Sequence, residues 1–156
     1  MNTCRLIYRS HASDDATSNE NLGSLEKTAV SCNSNSGITG LLVLVGSVFL
    51  QVLEGPSRDV NRLYRNIVGD TRHSEVELLS YEMEVEPLFA QWSMRLVDLY
   101  DLPGEIRSLM AQRYGGRAGE LQIPEQIQRL YAFLFDAEYL CTNKPWLSLP
   151  AAKNSA

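Results

Sequence analysis

Metal-binding and covalent chemistry have little to draw on in this sequence. Its 156 residues include two histidines, His11 and His73, and three cysteines, Cys4, Cys32 and Cys141. The cysteines are odd in number and lack metal-type spacing, so they read as free thiols of a reducing cytoplasm. A zinc site would need at least one further convergent ligand, and nothing is spaced to supply it. Basic residues are also scarce: 14 Lys and Arg stand against 19 Asp and Glu, a net charge of −5. That argues against bulk nucleic-acid binding, which draws on clustered Lys and Arg. No run approaches the roughly 20 apolar residues that span a bilayer. The amino terminus MNTCRLIY has no signal-peptide architecture, so secretion is not expected. Walker, GxGxxG and GxSxG motifs are absent as well. What is there is an ordinary globular composition, 44% apolar and 21% charged. The length suits one domain, or one domain with an appendage.

Periodicity divides the chain into elements. TCRLIY reads as a first strand, with Cys4, Leu6 and Tyr8 on one face. The polar run RSHASDDATSNEN reads as a loop. Leu22, Leu25, Ala29 and Asn33 then recur at helical spacing, and Gly37 is placed to end that helix. ITGLLVLV and VFLQVLEG flank Gly46-Ser47, a strong hairpin signal for a type II′ turn. A two-residue loop pairs Val45 with Val48, which sets Leu42 opposite Gln51. Ser57 is expected to cap a second helix whose apolar face is Val60, Leu63, Tyr64, Ile67 and Val68. EVELLSYEMEVE is a long strand whose apolar phase shifts between Leu78 and Leu79, as at a bulge. EPLFAQ reads as a turn, and WSMRLVD as a last strand with Trp92, Met94 and Leu96 on one side.

The order βαββαββ, with right-handed crossovers, puts both helices on one sheet face in an α+β sandwich of ferredoxin-like character. Residues 1–100 form this domain and residues 101–156 a helical extension with a disordered tail. Pro103 starts a helix to about Tyr114, and Pro124 a longer one through about Leu140. The apolar surface of the latter, including Ile127, Leu130, Phe133 and Leu134, must pack on the sheet, another subunit or a partner.

Three polar side chains project from apolar faces: Tyr8, Asn33 and Gln51. On VFLQVLEG, Gln51 is the odd letter between Phe49 and Leu53. An unpaired buried carboxamide costs about 1–3 kcal/mol. A phenol and two carboxamides, each of the latter donating and accepting, suit a flat heteroaromatic ligand with alternating carbonyl and N–H edges. A core tyrosine, an asparagine ending a helix and a water-bonded glutamine account for the same residues without any ligand.

These pieces resemble a BLUF domain, the flavin-binding blue-light sensor module. The resemblance rests on RLIYRS, CNSNSGITGLLV, VFLQVLEG, VNRLYRNIVGDTRHSEVELL and FAQWSMRLV, in order over about residues 4–98. Asn33 and Gln51 stand eighteen positions apart, as in the family. The resemblance implies a non-covalent flavin, FAD with FMN possible, between the two helices and the sheet. It makes Tyr8 the electron and proton donor, Gln51 the group between phenol and flavin, and Asn33 a partner of the ring edge. Leu25 and Ile67 would flank the ring plane. Asp70, Arg72 and His73 would contact the ribityl and phosphate portion, although a solvated loop explains Arg72 and His73 most simply. Trp92 and Met94 match a signalling pair, although core packing on a strand also explains them. Cys32, Ala29 and Asn66 depart from common family choices near the cofactor.

The chain resembles the short stand-alone members, with no effector domain after the sensor. That implies a non-enzymatic cytoplasmic photoreceptor that changes assembly with itself, as a homo-oligomer, or with a separate signalling protein. No membrane or nucleic-acid partner is expected. A small light-independent flavin oxidoreductase and a ferredoxin-like structural subunit without flavin are the alternatives.

Overall fold

The hairpin around Gly46-Ser47 forms the centre of the sheet. Gly46 has φ 63, while Ser47 is not left-handed, as a type II′ turn requires. The register pairs Val45 with Val48 and Leu42 with Gln51, as the loop length demands. The computed structural model describes residues 2–14, 18–91, 93–115 and 120–148. It leaves aside the side chains of residues 19, 25, 28–34 and 93. In chain order the elements are β1 (Thr3–Ala12), α1 (Asn19–Ser36), β2 (Thr39–Val45), β3 (Val48–Pro56), α2 (Ser57–Val68), β4 (His73–Met83), β5 (Ser93–Asp98), α3 (Gly104–Tyr114) and α4 (Ile127–Asn143). The strands lie in the order β4-β1-β3-β2-β5, with β5 parallel to β2 and every other pair antiparallel. This is the α+β, ferredoxin-like βαββαββ sheet with one added edge strand.

Strand alternation sorts the apolar side chains into two cores. On one face Leu6, Tyr8, Leu42, Phe49 and Leu53 pack with Leu22 of α1 and Val60 of α2. Both helices therefore cover the same face. On the other, Ile7, Leu41, Val43, Leu50 and Val52 pack against α3 and α4 through Met110, Tyr114, Leu130, Phe133 and Leu134. The broad apolar surface of α4 is thus answered by the sheet, and sheet and helices form a three-layer stack. Among the described residues no helix is long and apolar enough to cross a membrane.

Several boundaries differ from the sequence reading, each for a physical reason. β1 continues to Ala12, because Ser10 and His11 pair with Phe49 and Val48 across the hairpin end. Ser57 does not cap α2: Pro56 is the N-cap residue, no side chain caps it, and the Ser57 N–H donates to the Asn2 carbonyl at 2.9 Å. β4 starts at His73 and stops at Met83, where Glu84 turns with φ 56. The bulge falls where the apolar phase shifts: Ile7 pairs with Ser80 and Tyr8 with Leu78, so Leu79 is the extra residue. Leu79 turns to the core beneath α3 and α4. α4 begins at Ile127 rather than Pro124, because Leu121 and Ile123 reach the core from an extended segment.

Phe133 is fully buried between α4 and the sheet. Truncating such a side chain costs about 3–5 kcal/mol. Phe133→Ala should lower the urea midpoint accordingly, with the sheet and α4 lost in one transition. Separate transitions for the sheet and the carboxy-terminal helices would contradict a shared core.

Candidate functional site

The site is built from strand geometry. Tyr8 on β1 and Gln51 on β3 are directly opposed, so both side chains leave the sheet toward α1 and α2. The Tyr8 hydroxyl donates to Gln51 Oε1, and Gln51 Nε2 donates to Met94 Sδ at 3.1 Å. This fixes the carboxamide, with its oxygen toward the phenol and its nitrogen toward β5. Tyr8 is fully buried and Gln51 is 4% exposed, with Phe49 and Leu53 buried on either side. Burial drives the Tyr8 phenol far above its usual pKa, reinforced by Tyr64 and Asp70. Tyr8 therefore holds its proton at any physiological pH. The Tyr64 ring on α2 lies 5.6 Å from the Tyr8 ring, and Ile67 packs against the same core.

Met94 sits on an irregular piece of backbone. Gly40 pairs with Ser93 and Leu41 with Arg95, which leaves Met94 as an extra residue in β5 with φ 109. Its side chain is nonetheless buried against the core that holds Gln51. A Cβ on Gly40 would lie 1.9 Å from the Val52 carbonyl oxygen and 3.1 Å from Met94 Cε, so only glycine admits this approach. Two neighbours secure β5. The Leu96 N–H donates to Glu26 Oε2 of α1 at 2.8 Å, and Arg95 Nη1 donates to Thr142 Oγ1 of α4 at 2.7 Å.

The remaining positions divide. Asn33 and Leu25 both lie on α1, and their side chains are outside the described ones, as are those of Ala29 and Cys32. Trp92 lies outside the described residues altogether. Asp70 and Arg72 form a half-exposed pair just after α2, with Arg72 Nη2 donating to Asp70 Oδ2 at 2.6 Å. That pairing holds the Asp70 carboxyl below its usual range. His73 is not on a solvated loop. It opens β4, shares a 2.9 Å hydrogen bond with Ser10 Oγ through Nδ1, and its ring lies 5.1 Å from Phe49. Two residues escaped the sequence reading. Glu54, on VFLQVLEG itself, is fully buried, and Arg5, its cross-strand partner, donates to it through Nε at 2.6 Å. Antiparallel register puts the two side chains on one sheet face, and no local sequence pattern marks the pair.

The donor set fits a flavin edge. Among the described residues Gln51 Nε2 has one acceptor, the Met94 sulfur, so a carboxamide N–H is left for a ligand carbonyl. The walls offered by Phe49, Leu53, Tyr64 and Ile67 are apolar and aromatic, as a flat ring system needs.

Burial also holds His73 below its usual pKa, Asp70 opposing and Arg72 assisting. A depressed histidine stabilises the fold above pH about 6.5, and that contribution is lost as pH falls toward the folded-state pKa. The wild-type melting temperature should therefore drop between pH 7.5 and 5.5 by more than that of His73→Gln. Equal drops would show that the ring is not titrating against a buried cost.

Comparison with known proteins agrees with the geometry. The family profile described as sensors of blue light using FAD, BLUF, matches residues 3–95. The blue light- and temperature-regulated antirepressor BluF of Escherichia coli (strain K12) is 37% identical over 94 residues, which is 60% of this chain and 23% of that protein. The photoactivated adenylate cyclase subunit alpha of Euglena gracilis is 44% identical over 55 residues, 35% of this chain and 5% of that one. This chain thus spans less than a quarter of either curated relative. Among solved structures, BlsA in its photo-activated state aligns with a TM-score of 0.72 at 27% identity, covering 88% of this chain and 94% of that one. BlrB, a BLUF protein in its dark state, aligns at 0.66 and 25% identity, covering 87% and 94%. With a profile matching more than half its length, a sheet of the same fold and a buried Tyr–Gln pair facing two helices, the chain belongs to the BLUF family of blue-light sensors using FAD.

Proposed function

We propose that this protein is a photoreceptor whose state is stored in the hydrogen bonding of Gln51. The observation that carries the reading is the fixed polarity of that carboxamide, its oxygen on Tyr8 and its nitrogen on Met94. A bound flavin would supply the blue-light chromophore and the acceptor for one electron and one proton. Tyr8 loses one electron and then its phenolic proton, which a buried phenol cannot shed beforehand. While the phenoxyl radical persists, Gln51 no longer has a donor at its oxygen, so it can rotate or tautomerise. The electron and proton then return to Tyr8, which meets a differently arranged Gln51, and nothing is consumed. A carboxamide suits this role because its two ends have opposite hydrogen-bonding character.

Asn33 would hold the ring edge, Leu25 and Ile67 the ring faces, and Asp70 with Arg72 the polar tail of FAD. FMN is the alternative where that tail binds weakly. His73, whose ring lies 5.1 Å from that of Phe49, would join Asp70 and Arg72 at that tail. Trp92 and Met94 would carry the change into β5. We assign residues 1–100 to the sensor and 101–156 to the helical extension. The output is a change of assembly, with a second copy or a separate protein, in a cytoplasmic setting. Apolar surface left on α4 supports that, with Phe135 41% and Tyr139 52% exposed.

The purified protein should be yellow and show a reversible red shift of its flavin absorption under blue light. Tyr8→Phe and Gln51→Leu should bind flavin and lose the shift. An oxidised flavin spectrum that never shifts would overturn the reading, and light-independent turnover of a reductant would favour an oxidoreductase. Size-exclusion profiles recorded in darkness and in blue light should differ, alone or with a candidate partner. Identical profiles throughout would refute the assembly output.

A further inference from the structure

β3 carries a second buried polar group, and it faces the other way. Gln51 leaves the sheet toward α1 and α2, whereas Glu54, three residues on, leaves it toward α4. The Glu54 carboxylate is completely enclosed and accepts three hydrogen bonds. One comes from Arg5 Nε at 2.6 Å. The other two come from main-chain N–H groups of the segment that joins β4 to β5: Leu88 to Oε1 at 3.0 Å and Phe89 to Oε2 at 2.9 Å. Arg5, itself 6% exposed, adds a bond from Nη2 to the Glu86 carbonyl of the same segment at 2.6 Å. Both members of the ion pair therefore grip the backbone that leads into Met94.

The same pair reaches α4. Arg5 Nη1 donates to Glu82 at 2.9 Å and to the Tyr131 hydroxyl at 3.3 Å, and that hydroxyl donates to Glu82 at 2.8 Å. The guanidinium carbon stands 5.5 Å from the Tyr131 ring centroid. Burial opposes the charge on Arg5, but its bonds to Glu54 and Tyr131 outweigh that and raise its pKa. One turn further along α4, Phe135 stacks on Phe89 at 5.3 Å between centroids and 17° between planes. Phe135 is also part of the exposed apolar surface of α4. So the segment entering β5 is bonded to Glu54 through the Leu88 and Phe89 amides and stacked on α4 through the Phe89 ring.

A buried ion pair is a poor source of net stability, since desolvation offsets most of its attraction. It is a good source of fixed geometry, because every group that it holds must move together or lose a partner. We propose that the Arg5–Glu54 pair is a joint that transmits the state of Gln51 and Met94 on one sheet face to α4 on the other. The proposal rests on the photoreceptor reading above. Arg5, Glu54 and Tyr131 are positioning residues in it, and none of them touches the flavin side of the sheet. When Gln51 changes its bond to Met94, β5 and the segment before it shift against the Glu54 clamp, and Tyr131 and Phe135 follow.

Hydrogen exchange of the flavin-loaded full chain, read over residues 127–143 in darkness and in blue light, tests this. The red shift of each sample is recorded alongside, so that failure of the photochemistry and failure of the joint are told apart. In the wild type, α4 should exchange differently in the two conditions. Glu54→Gln and Tyr131→Phe should keep the red shift and lose that light-minus-dark difference. Tyr131→Phe removes a single hydroxyl from a half-buried ring, and it carries the test alone should Glu54→Gln fail to bind flavin. A purely structural role would alter the dark exchange and leave the difference in place, which would overturn the proposal. So would a wild type that shows the red shift with no light response in α4.

Discussion

The carboxamide of Gln51 lies between two unlike neighbours, and their difference gives it a direction. A thioether can only accept, so it takes the carboxamide nitrogen, and the phenol then donates to the oxygen. The rest of the site serves that arrangement. Strand register sets Tyr8 opposite Gln51. The missing side chain of Gly40 lets β2 and Met94 approach, and the bulge in β5 turns the Met94 sulfur inward. Phe49 and Leu53 exclude the water that would otherwise offer the amide other partners. An interaction so dependent on one proton of one phenol is sensitive to that phenol's oxidation, and in the proposed photoreceptor this would link the fold to light.

The three-layer construction gives a local rearrangement somewhere to go. The central strands β2 and β3, covered by two helices on each side, are buried almost throughout, so they carry a change through buried contacts. β3 bears the two buried polar side chains Gln51 and Glu54, and they point to opposite layers. One engages the candidate flavin site and the other the segment before β5.

Much of this was legible from sequence because local rules fix it. A Gly-X dipeptide between apolar runs set the hairpin and, with it, the pairing of Leu42 with Gln51. A break in alternation at Leu78–Leu79 marked the bulge. The resemblance over residues 4–98 pointed to the family that the profile confirms. What sequence did not reveal depends on contacts distant in the chain. Ser57 looks like a cap until the Asn2 carbonyl takes its N–H. His73 looks like loop until β1 extends far enough to bury it beside Ser10. Glu54 looks like the polar end of a strand. Only the fold shows Arg5 opposite it and the Leu88 and Phe89 amides above it. Partners 49 and 34 residues away leave no local trace.

The central claim is that Gln51 itself changes state. Light-minus-dark infrared difference spectra of protein with isotope-labelled glutamine side chains test it most directly. The account expects a carboxamide band that shifts with the label, is absent in Gln51→Leu and silent in Tyr8→Phe. Label-insensitive difference spectra, in a sample whose flavin absorption shifts normally under blue light, would contradict it.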